Sequence, residues 1–352
     1  MILFVMLCMK AGGAERVTAY QANYWAERGH KVGIIIYDKT PSHYPLHPDI
    51  QLFTNNLARV SKNKLNSVFN KLRQAFILRG WFKKLRPTAV ISVMEEVNMA
   101  VCAASIGLSH RLILYDVANP AYYGGGQFRQ LIKRLLYRIA DVLIVQTEGV
   151  KSFYKGFKVP IKVIKNPLPK PPKLQINYEN RVIISVGRLD KLKNLALIIH
   201  AFARVNAPNW ELRIFGTGEE QGNLNHLITQ LGLENRVFLK GLTDNVYAEL
   251  AQASIFAFGS QMEGYPNVLL EGMSAGLAVV STDCPFGPSE IIINGKNGLL
   301  VPNNNENTFV EALQRLINEE NLRAQLGKEA LKIIEELSIE RIMTEWEKCV
   351  FI

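Results

Sequence analysis

Short apolar segments alternate with helical patterns along the whole chain, and this alternation limits the folds open to it. A strand covered by helices on both faces is apolar throughout, and such strands pair in parallel. Repeated strand–helix units therefore predict an α/β protein with doubly wound, Rossmann-like parallel sheets. The predicted strands are Ile2–Leu7, Lys31–Tyr37, Ala89–Val93, Arg111–Leu114, Asp141–Gln146, Arg181–Val186, Glu211–Phe215, Arg236–Leu239, Ser254–Phe258, Ala278–Ser281 and Gly298–Val301.

A proline-rich segment divides this alternation into two halves. Four prolines fall between Pro167 and Pro172, and proline can continue neither a helix nor a central strand. A chain of 352 residues is long enough for two domains of ordinary size. We therefore predict one domain over residues 1–165, a second over residues 174–337, and a last helix at 338–352.

Composition argues against several classes of protein. With 48% apolar residues the chain can bury large cores, yet no apolar run reaches the roughly 20 residues that cross a bilayer. The four cysteines include no C-x-x-C pair, and the six histidines show no metal-ligand spacing. We therefore predict no metal site and no redox pair, and a reducing compartment.

Charge is distributed unequally between the two halves. Residues 1–165 hold 24 basic and 9 acidic side chains, a net charge of +15, whereas the remainder carries −5. The segment Arg59–Arg86 alone contains nine basic residues and no acid. Nucleic acid, anionic lipid or a diphosphate-bearing acceptor would each suit this basic half.

The basic segment also has an apolar stripe at helical spacing. We interpret the stripe as a helix face that packs on the sheet and leaves its basic flanks exposed. Together with a second basic run, the flanks indicate a face that rests on anionic lipid, where each cation contributes about 1 kcal/mol. The stripe comprises Leu65, Val68, Phe69, Leu72 and Phe76, and the second run comprises Arg129, Lys133, Arg134 and Arg138.

Two glutamates, Glu263 and Glu271, have seven residues between them and lie where a strand passes into a helix. Glu263 falls in the loop and Glu271 on the helix, which we predict to begin near Val268. An ionised carboxylate suits paired sugar hydroxyls, and the free N–H groups of a helix start suit a phosphate. The pair can therefore bracket a sugar nucleotide. Alternatively, the first acid favours the helix dipole and the second is solvated.

Arg188 and Lys193 follow a predicted strand in the loop that begins at Gly187, before a helix expected to start at Asn194. Ligands of open α/β sheets bind at the carboxyl ends of the strands. An Arg fork and a Lys point charge suit a diphosphate there. The alternative is that both side chains are simply solvated.

Two further loops contain glycine pairs, Gly12–Gly13 and Gly216 with Gly218. Such pairs permit close approach of a ligand to the backbone, although a tight turn would use them equally. The second loop could also bind a dinucleotide. However, the acid expected about 20 residues later in a dinucleotide site is replaced by Lys240.

Taken together, these motifs resemble the E-x(7)-E glycosyltransferases of family 4, which are retaining enzymes of the GT-B fold with two Rossmann-like domains facing a central cleft. The similarity extends through Gly287–Ile292 and Gly295–Pro302 and covers nearly the whole chain. It implies that the first domain binds the acceptor, that the second binds the nucleotide sugar, and that the last helix crosses back to the first domain. The motifs look most like bacterial enzymes that extend undecaprenyl-diphosphate-linked oligosaccharides.

The resemblance implies roles for individual residues. Glu263 is expected to contact the transferred sugar, and Arg188 and Lys193 to hold the donor diphosphate. Asp116 stands where many members carry a His or a Glu-Arg-Asn-Asp-Pro-like run, so we predict a catalytic role on the acceptor side, with an ordinary strand-end cap as the alternative. The match continues loosely at Asn119-Pro120. The predicted donor-binding residues are Gly12, Gly13, Gly187, Gly216, Gly218, Lys240, Gly264, Tyr265, Pro266, Asn267, Val268 and Glu271.

We therefore expect transfer of N-acetylgalactosamine or another hexose from a UDP-sugar to a lipid-diphosphate-linked glycan in polysaccharide biosynthesis. The chain has no D-x-D sequence, so we expect neither a metal nor a cofactor. We predict a cytoplasmic protein bound peripherally to the inner face of the cytoplasmic membrane, with no nucleic-acid partner. An NAD(P)-dependent oxidoreductase and a non-catalytic, basic lipid-binding protein remain as alternatives.

Overall fold

The computed structural model describes residues 1–55, 57, 64–117 and 126–351, with the backbone alone for residues 64–68. The chain divides into two compact units. The first unit comprises Met1–Pro167 and Ile339–Ile352, and the second comprises Leu168–Ser338. The division falls inside the proline-rich segment, and Leu168 joins the second unit because its N–H donates to the carbonyl of Leu337 at 2.7 Å.

The first unit is built on a seven-stranded parallel sheet with the order β3-β2-β1-β4-β5-β6-β7. Its central strands are buried on both faces, as their continuous apolar sequences require. The strands are β1 (Ile2–Met6), β2 (Val32–Ile36), β3 (Gln51–Thr54), β4 (Ala89–Val93), β5 (Arg111–Asp116), β6 (Val142–Val145) and β7 (Ile161–Val163).

The helices of the first unit include one from the far end of the chain. Its Trp346 is fully buried, with ring centroids 6.5 Å from Trp25 and 4.9 Å from Tyr115. This aromatic contact holds the last helix on the first unit. The helices are α1 (Gly13–Glu27), α2 (Lys64–Leu85), α3 (Glu95–Ser105), α4 (Gln127–Tyr137), α5 (Glu148–Phe153) and α14 (Ile339–Val350).

The second unit repeats this plan with a six-stranded parallel sheet. Its strands are β8 (Val182–Val186), β9 (Glu211–Phe215), β10 (Val237–Gly241), β11 (Ile255–Phe258), β12 (Ala278–Asp283) and β13 (Leu299–Pro302), in the order β10-β9-β8-β11-β12-β13. Its helices are α6 (Leu195–Arg204), α7 (Gln221–Gln230), α8 (Val246–Leu250), α9 (Asn267–Ser274), α10 (Pro288–Ile291), α11 (Glu306–Asn318), α12 (Glu320–Ala330) and α13 (Ile333–Glu336). Within the described part of the chain, no helix is both long and apolar enough to span a bilayer.

The prediction of two doubly wound parallel sheets is confirmed, but β3 and β7 were not among the predicted strands. Both are edge strands of four and three residues, and both are partly exposed. An edge strand does not need a continuous apolar sequence, so its signal is weaker than that of a central strand.

The interpretation of the apolar stripe on α2 is wrong for its described side chains. Phe69, Leu72 and Phe76 are 68%, 64% and 80% exposed, and the helix instead buries a different side, which includes Leu78 and Phe82. The side chains of Leu65 and Val68 lie outside the described residues.

Two glycines of the loop after β9 are required by the protein's own backbone. Gly216 has φ +140°, and a Cβ there would lie 1.8 Å from the carbonyl oxygen of Gly187. A Cβ at Gly218 would lie 2.3 Å from the carbonyl oxygen of Leu189. The loop after β9 therefore packs directly against the loop after β8.

We predict that Gly216→Ala lowers the free energy of unfolding by roughly 3 kcal/mol, because both the φ angle and the contact oppose a side chain. Gly222→Ala on α7 is the matched control, since its Cβ would meet no atom within 4 Å. Alanine there should raise helix stability by about 0.5–1 kcal/mol. Urea unfolding would measure both variants, and equal stability of the two would contradict the steric argument.

Candidate functional site

The predicted site residues with charged side chains after β8 and β11 lie where the strand order of the second unit reverses. β8 and β11 are neighbours in the sheet, although they are not consecutive in the chain. The loops that follow them therefore leave the same sheet edge side by side, at the position where open α/β sheets bind ligands. These two loops contain Arg188, Lys193 and Glu263.

Lys193 and Glu263 form an ion pair between the two loops. The Lys193 Nζ lies 2.6 Å from the Glu263 Oε1, and the two side chains are only 19% and 12% exposed. The Lys193 N–H donates to the Asp190 Oδ1 at 3.0 Å, which caps the 3₁₀ turn Lys191–Lys193. The structure thus brings together two residues that the sequence analysis placed in one site.

Arg188 is mostly exposed and is held by the same aspartate. Its guanidinium lies 2.9 Å from the Asp190 Oδ2. Asp190 therefore contacts both predicted diphosphate ligands, a role that the sequence analysis did not assign to it. Asn194 follows the 3₁₀ turn with φ +48°, so α6 begins at Leu195, one residue later than predicted.

Glu271 is buried on α9, which begins at Asn267 rather than at Val268. The alternative that this acid is solvated is therefore wrong. Tyr265 and Pro266, just before the helix, are also buried. Gly287 packs against them from the next loop, since a Cβ at this position, with φ +101°, would lie 2.5 Å from the Pro266 Cδ.

Three other predicted donor residues have different surroundings. Gly216 and Gly218 pack on the loop after β8, and an approach of their backbone to a nucleotide stays a prediction. Lys240 lies within β10 rather than in a turn, is exposed, and stands at an irregularity between Leu239 and Gly241.

Cys284, which follows β12, lies close enough to Glu263 for the two groups to interact electrostatically. Burial first, and then the Glu263 carboxylate, raise the pKa of the Cys284 thiol to about 12. A protonated thiol is a poor nucleophile, so these surroundings disfavour the reactive thiolate at neutral pH. Among the described residues, no three His, Cys, Asp or Glu side chains come together as a metal site.

In the first unit, the glycine pair after β1 is held by Tyr44. The Tyr44 hydroxyl accepts a hydrogen bond from the Gly12 N–H at 3.1 Å and donates one to the Gly12 carbonyl at 2.9 Å. Glu15, in the first turn of α1, is buried, and burial raises the pKa of its carboxyl. The sequence contained no signal for Tyr44, because it lies 32 residues after Gly12.

Asp116 ends β5 and is buried inside a hydrogen-bond network. Its Oδ1 accepts from the Asn98 Nδ2 at 2.6 Å, and its Oδ2 accepts from the hydroxyls of Tyr154 at 2.5 Å and Tyr137 at 3.3 Å. Burial raises the pKa of the Asp116 carboxyl, and the Lys133 ammonium lowers it in part. Asn119 and Pro120 lie outside the described residues.

A buried ion pair that the sequence analysis did not predict adjoins this network. The Lys133 Nζ lies 2.6 Å from the Glu95 Oε2, and the side chains are 1% and 2% exposed. The Arg129 guanidinium contacts the other oxygen of Glu95 at 2.8 Å. Two of the four cations in the second basic run therefore face inward, and only Arg134 and Arg138 remain exposed.

Known proteins match the chain over nearly its full length. Residues 12–167 match the Glycosyl transferase 4-like domain, and residues 169–333 match the family Glycosyl transferases group 1. An uncharacterized glycosyltransferase of Haemophilus influenzae is 30% identical over 350 residues, which are 98% of each chain.

Two further matches have a described activity or ligand. The N-acetylgalactosamine-N,N'-diacetylbacillosaminyl-diphospho-undecaprenol 4-alpha-N-acetylgalactosaminyltransferase of Campylobacter jejuni is 30% identical over 331 residues, 89% of each chain. The structure of Anabaena HepE in complex with UDP superimposes with a TM-score of 0.79 at 19% identity, over 99% of this chain and 98% of that chain. These matches decide against an NAD(P)-dependent oxidoreductase. The chain belongs to the group 1 glycosyl transferases, with a glycosyl transferase 4-like domain in its first half and the GT-B fold.

Proposed function

We propose that the protein transfers a sugar, N-acetylgalactosamine or another hexose, from a UDP-sugar to a lipid-diphosphate-linked glycan with retention of anomeric configuration. The observation that supports this most is the Lys193–Glu263 pair at the point where the strand order of the second unit reverses. The pair places the lysine cation, which can bind a diphosphate, beside a carboxylate, which can accept hydrogen bonds from sugar hydroxyls.

The donor chemistry follows from these groups. The Arg188 and Lys193 cations stabilise the negative charge that develops on the diphosphate as the bond between the sugar and UDP breaks. Glu263 accepts hydrogen bonds from the sugar, and Glu271 accepts them from the ribose. The acceptor hydroxyl forms the new glycosidic bond and passes its proton to the departing phosphate oxygen. This scheme needs neither an enzymatic nucleophile nor a metal.

The acceptor class is proposed by similarity. The Campylobacter jejuni relative is named for transfer to a diphospho-undecaprenol glycan, and it shares 30% identity with 89% of this chain. A lipid-linked acceptor also agrees with the basic character of residues 1–165. The donor nucleotide is proposed from the motifs, and the fold is the one that binds UDP in Anabaena HepE.

A panel of UDP-sugars, offered with an undecaprenyl-diphosphate-linked sugar in excess EDTA, tests the proposal. We expect mass spectrometry to show an acceptor enlarged by one hexose or N-acetylhexosamine, and NMR to show the anomeric configuration of the donor. Activity should persist in EDTA because protein cations and helix N-termini replace a metal. If no UDP-sugar is transferred, the proposed donor is wrong. If activity requires added magnesium or manganese, the proposed metal-independent mechanism is wrong.

Substitutions of Glu263 and Glu271 should impair the enzyme in different ways. Glu263→Gln should lower turnover while UDP still binds, because this residue contacts the transferred sugar. Glu271→Ala should weaken UDP binding about 10- to 150-fold, the range expected when a charge-assisted hydrogen bond is lost. Isothermal calorimetry with UDP and turnover at saturating donor separate the two effects. Equal loss of UDP affinity in both variants would contradict this division.

We propose that Asp116 acts on the acceptor side through the network it holds, since Asn98, Tyr137 and Tyr154 all donate to it. Tyr154→Phe should therefore lower the free energy of unfolding by roughly 1.5–3 kcal/mol, because a donor to a buried carboxyl is lost. The control is Tyr37→Phe, whose buried hydroxyl has no hydrogen-bond partner among the described residues. Thermal unfolding that showed equal stability of the two variants would contradict a strong hydrogen bond from Tyr154 to Asp116.

We propose that the protein binds the inner face of the cytoplasmic membrane through charge. Within the basic segment Arg59–Arg86, Lys83 and Lys84 are exposed, whereas the Lys71 ammonium donates to the carbonyl of Glu96 on α3. Lys62 and the side chain of Lys64 lie outside the described residues. Four exposed cations lie near the ends of α2 and α4, namely Lys83, Lys84, Arg134 and Arg138, and Arg86 just after α2 is exposed as well.

Replacing these four cations with Gln should lower binding to anionic vesicles about 100- to 1000-fold at low salt, at about 1 kcal/mol each. Wild-type binding should also fall between 0.1 and 1 M salt, as the Debye length shrinks from about 10 to about 3 Å. The matched control removes four exposed cations of the second unit, Lys173, Arg181, Lys296 and Lys328. If co-sedimentation with vesicles declined equally in both variants, the proposal that a specific face of the first unit binds the membrane would be wrong.

A further inference from the structure

Helix α4 is amphipathic, but its apolar side faces solvent. Phe128, Leu131, Ile132 and Leu135 are 76%, 54%, 37% and 51% exposed. Their spacing of i, i+3, i+4 and i+7 places them in one stripe along the helix. The buried residues of this helix are Lys133 and Tyr137. An ordinary surface helix of an α/β protein shows the opposite arrangement.

The buried ion pair fixes this orientation. Lys133 contacts the Glu95 carboxylate at 2.6 Å, and its Nζ also donates to the Tyr154 hydroxyl at 3.0 Å. The ammonium lies 4.6 Å from the centre of the Tyr154 ring and 5.1 Å from that of Tyr137. Rotating α4 to bury its apolar stripe would break the pair and leave Glu95 buried without its lysine, which is strongly unfavourable. The outward stripe is therefore specified by the fold.

Helix α2, which packs against α3 as α4 does, presents a second exposed apolar stripe. Both α2 and α4 contact α3, and Phe69, Leu72 and Phe76 of α2 are also exposed. Lys71 of α2 donates to the carbonyl of Glu96, and Arg129 of α4 contacts the side chain of the preceding residue, Glu95, so the two helices meet the same end of α3. The first unit thus exposes apolar side chains on two adjacent helices.

The charge around these stripes identifies the partner. Neither Lys64–Leu85 nor 127–138 contains an acidic residue, and each has two exposed cations among its described side chains, Lys83 and Lys84 in the first and Arg134 and Arg138 in the second. A second copy of the chain would bring like charges together. An anionic lipid surface satisfies both features, because a helix of this kind lies in the interface with its apolar side among the acyl chains and its cations at the headgroups.

We propose that α4 is a membrane-inserting helix whose apolar stripe enters an anionic lipid surface, with the Lys133–Glu95 pair holding that stripe outward. This inference deepens the proposed function, since a lipid-linked acceptor requires the enzyme to work at the membrane. It goes beyond electrostatic attachment because it assigns an apolar contribution to four named side chains.

Vesicles of phosphatidylglycerol and phosphatidylethanolamine test the proposal without donor or acceptor. The triple variant Phe128→Gln, Leu131→Gln, Leu135→Gln should partition at least about 100-fold more weakly than the wild type, because each side chain transfers from water to hydrocarbon. The control variant Leu231→Gln, Ile293→Gln removes exposed apolar residues of the second unit and should change partitioning less than about twofold. Unchanged partitioning of the triple variant would overturn the proposal.

A direct measurement of insertion covers the case in which the triple variant fails to fold. The emission of an environment-sensitive fluorophore on Leu131→Cys should shift to the blue on vesicles and be quenched by brominated lipid tails. The emission of the same label on Leu231→Cys should show neither change. Lys133→Met should diminish the shift at Leu131→Cys, while UDP affinity, which depends on the second unit, stays unchanged. A fluorophore that remains in water on vesicles, or that shifts only on concentration-dependent self-association, would overturn the proposal.

The proposed transfer reaction and the proposed membrane helix can be tested independently of each other. If no UDP-sugar is transferred but the label at Leu131→Cys still inserts, the proposed transfer reaction is wrong and the membrane helix stands. If transfer occurs but the triple variant partitions like the wild type, the membrane helix is wrong and the reaction stands.

Discussion

The ion pair between Lys193 and Glu263 is the interaction on which the candidate site depends. It joins two residues that are 70 positions apart in sequence but follow neighbouring strands, and it is short and largely shielded from water. The sheet order brings their loops together, and the close packing of Gly216 on Gly187 fixes one of those loops from its other side. The pair also keeps opposite charges side by side where a nucleotide sugar would present both a diphosphate and hydroxyl groups.

The first unit uses an ion pair for a different purpose. Glu95 begins α3 and draws Lys133 and Arg129 of α4 inward, next to the network around Asp116. Removing two charges from water is costly, and the short contacts and the Tyr154 hydroxyl compensate for that cost. The consequence is a helix whose polar side is buried and whose apolar side is exposed. The proposed acceptor-side role of Asp116 and the proposed membrane contact of α4 therefore both depend on this small group of buried polar residues.

The central features of the fold followed from local patterns. Continuous apolar strands indicated parallel sheets, since only a strand buried on both faces lacks polar alternation. The proline-rich segment marked the division between the units, because proline interrupts both kinds of regular structure. The positions of Arg188, Lys193 and Glu263 after strands indicated one site, because parallel strands present their carboxyl ends at a common edge. The edge strands β3 and β7 gave no such signal, since a half-exposed strand of three or four residues resembles a loop.

The sequence by itself therefore determined the fold class, the family and the loops that hold the predicted donor residues, because each of these depends on local periodicity or on spacing along the chain. Only the tertiary structure decided which side of a helix is buried. The 3.6-residue period of α4 shows that this helix has two unlike sides, but which side faces the interior depends on partners far away in sequence. For α4 that partner is Glu95, which lies 38 residues before Lys133 and draws the lysine, rather than the leucines, toward the protein interior.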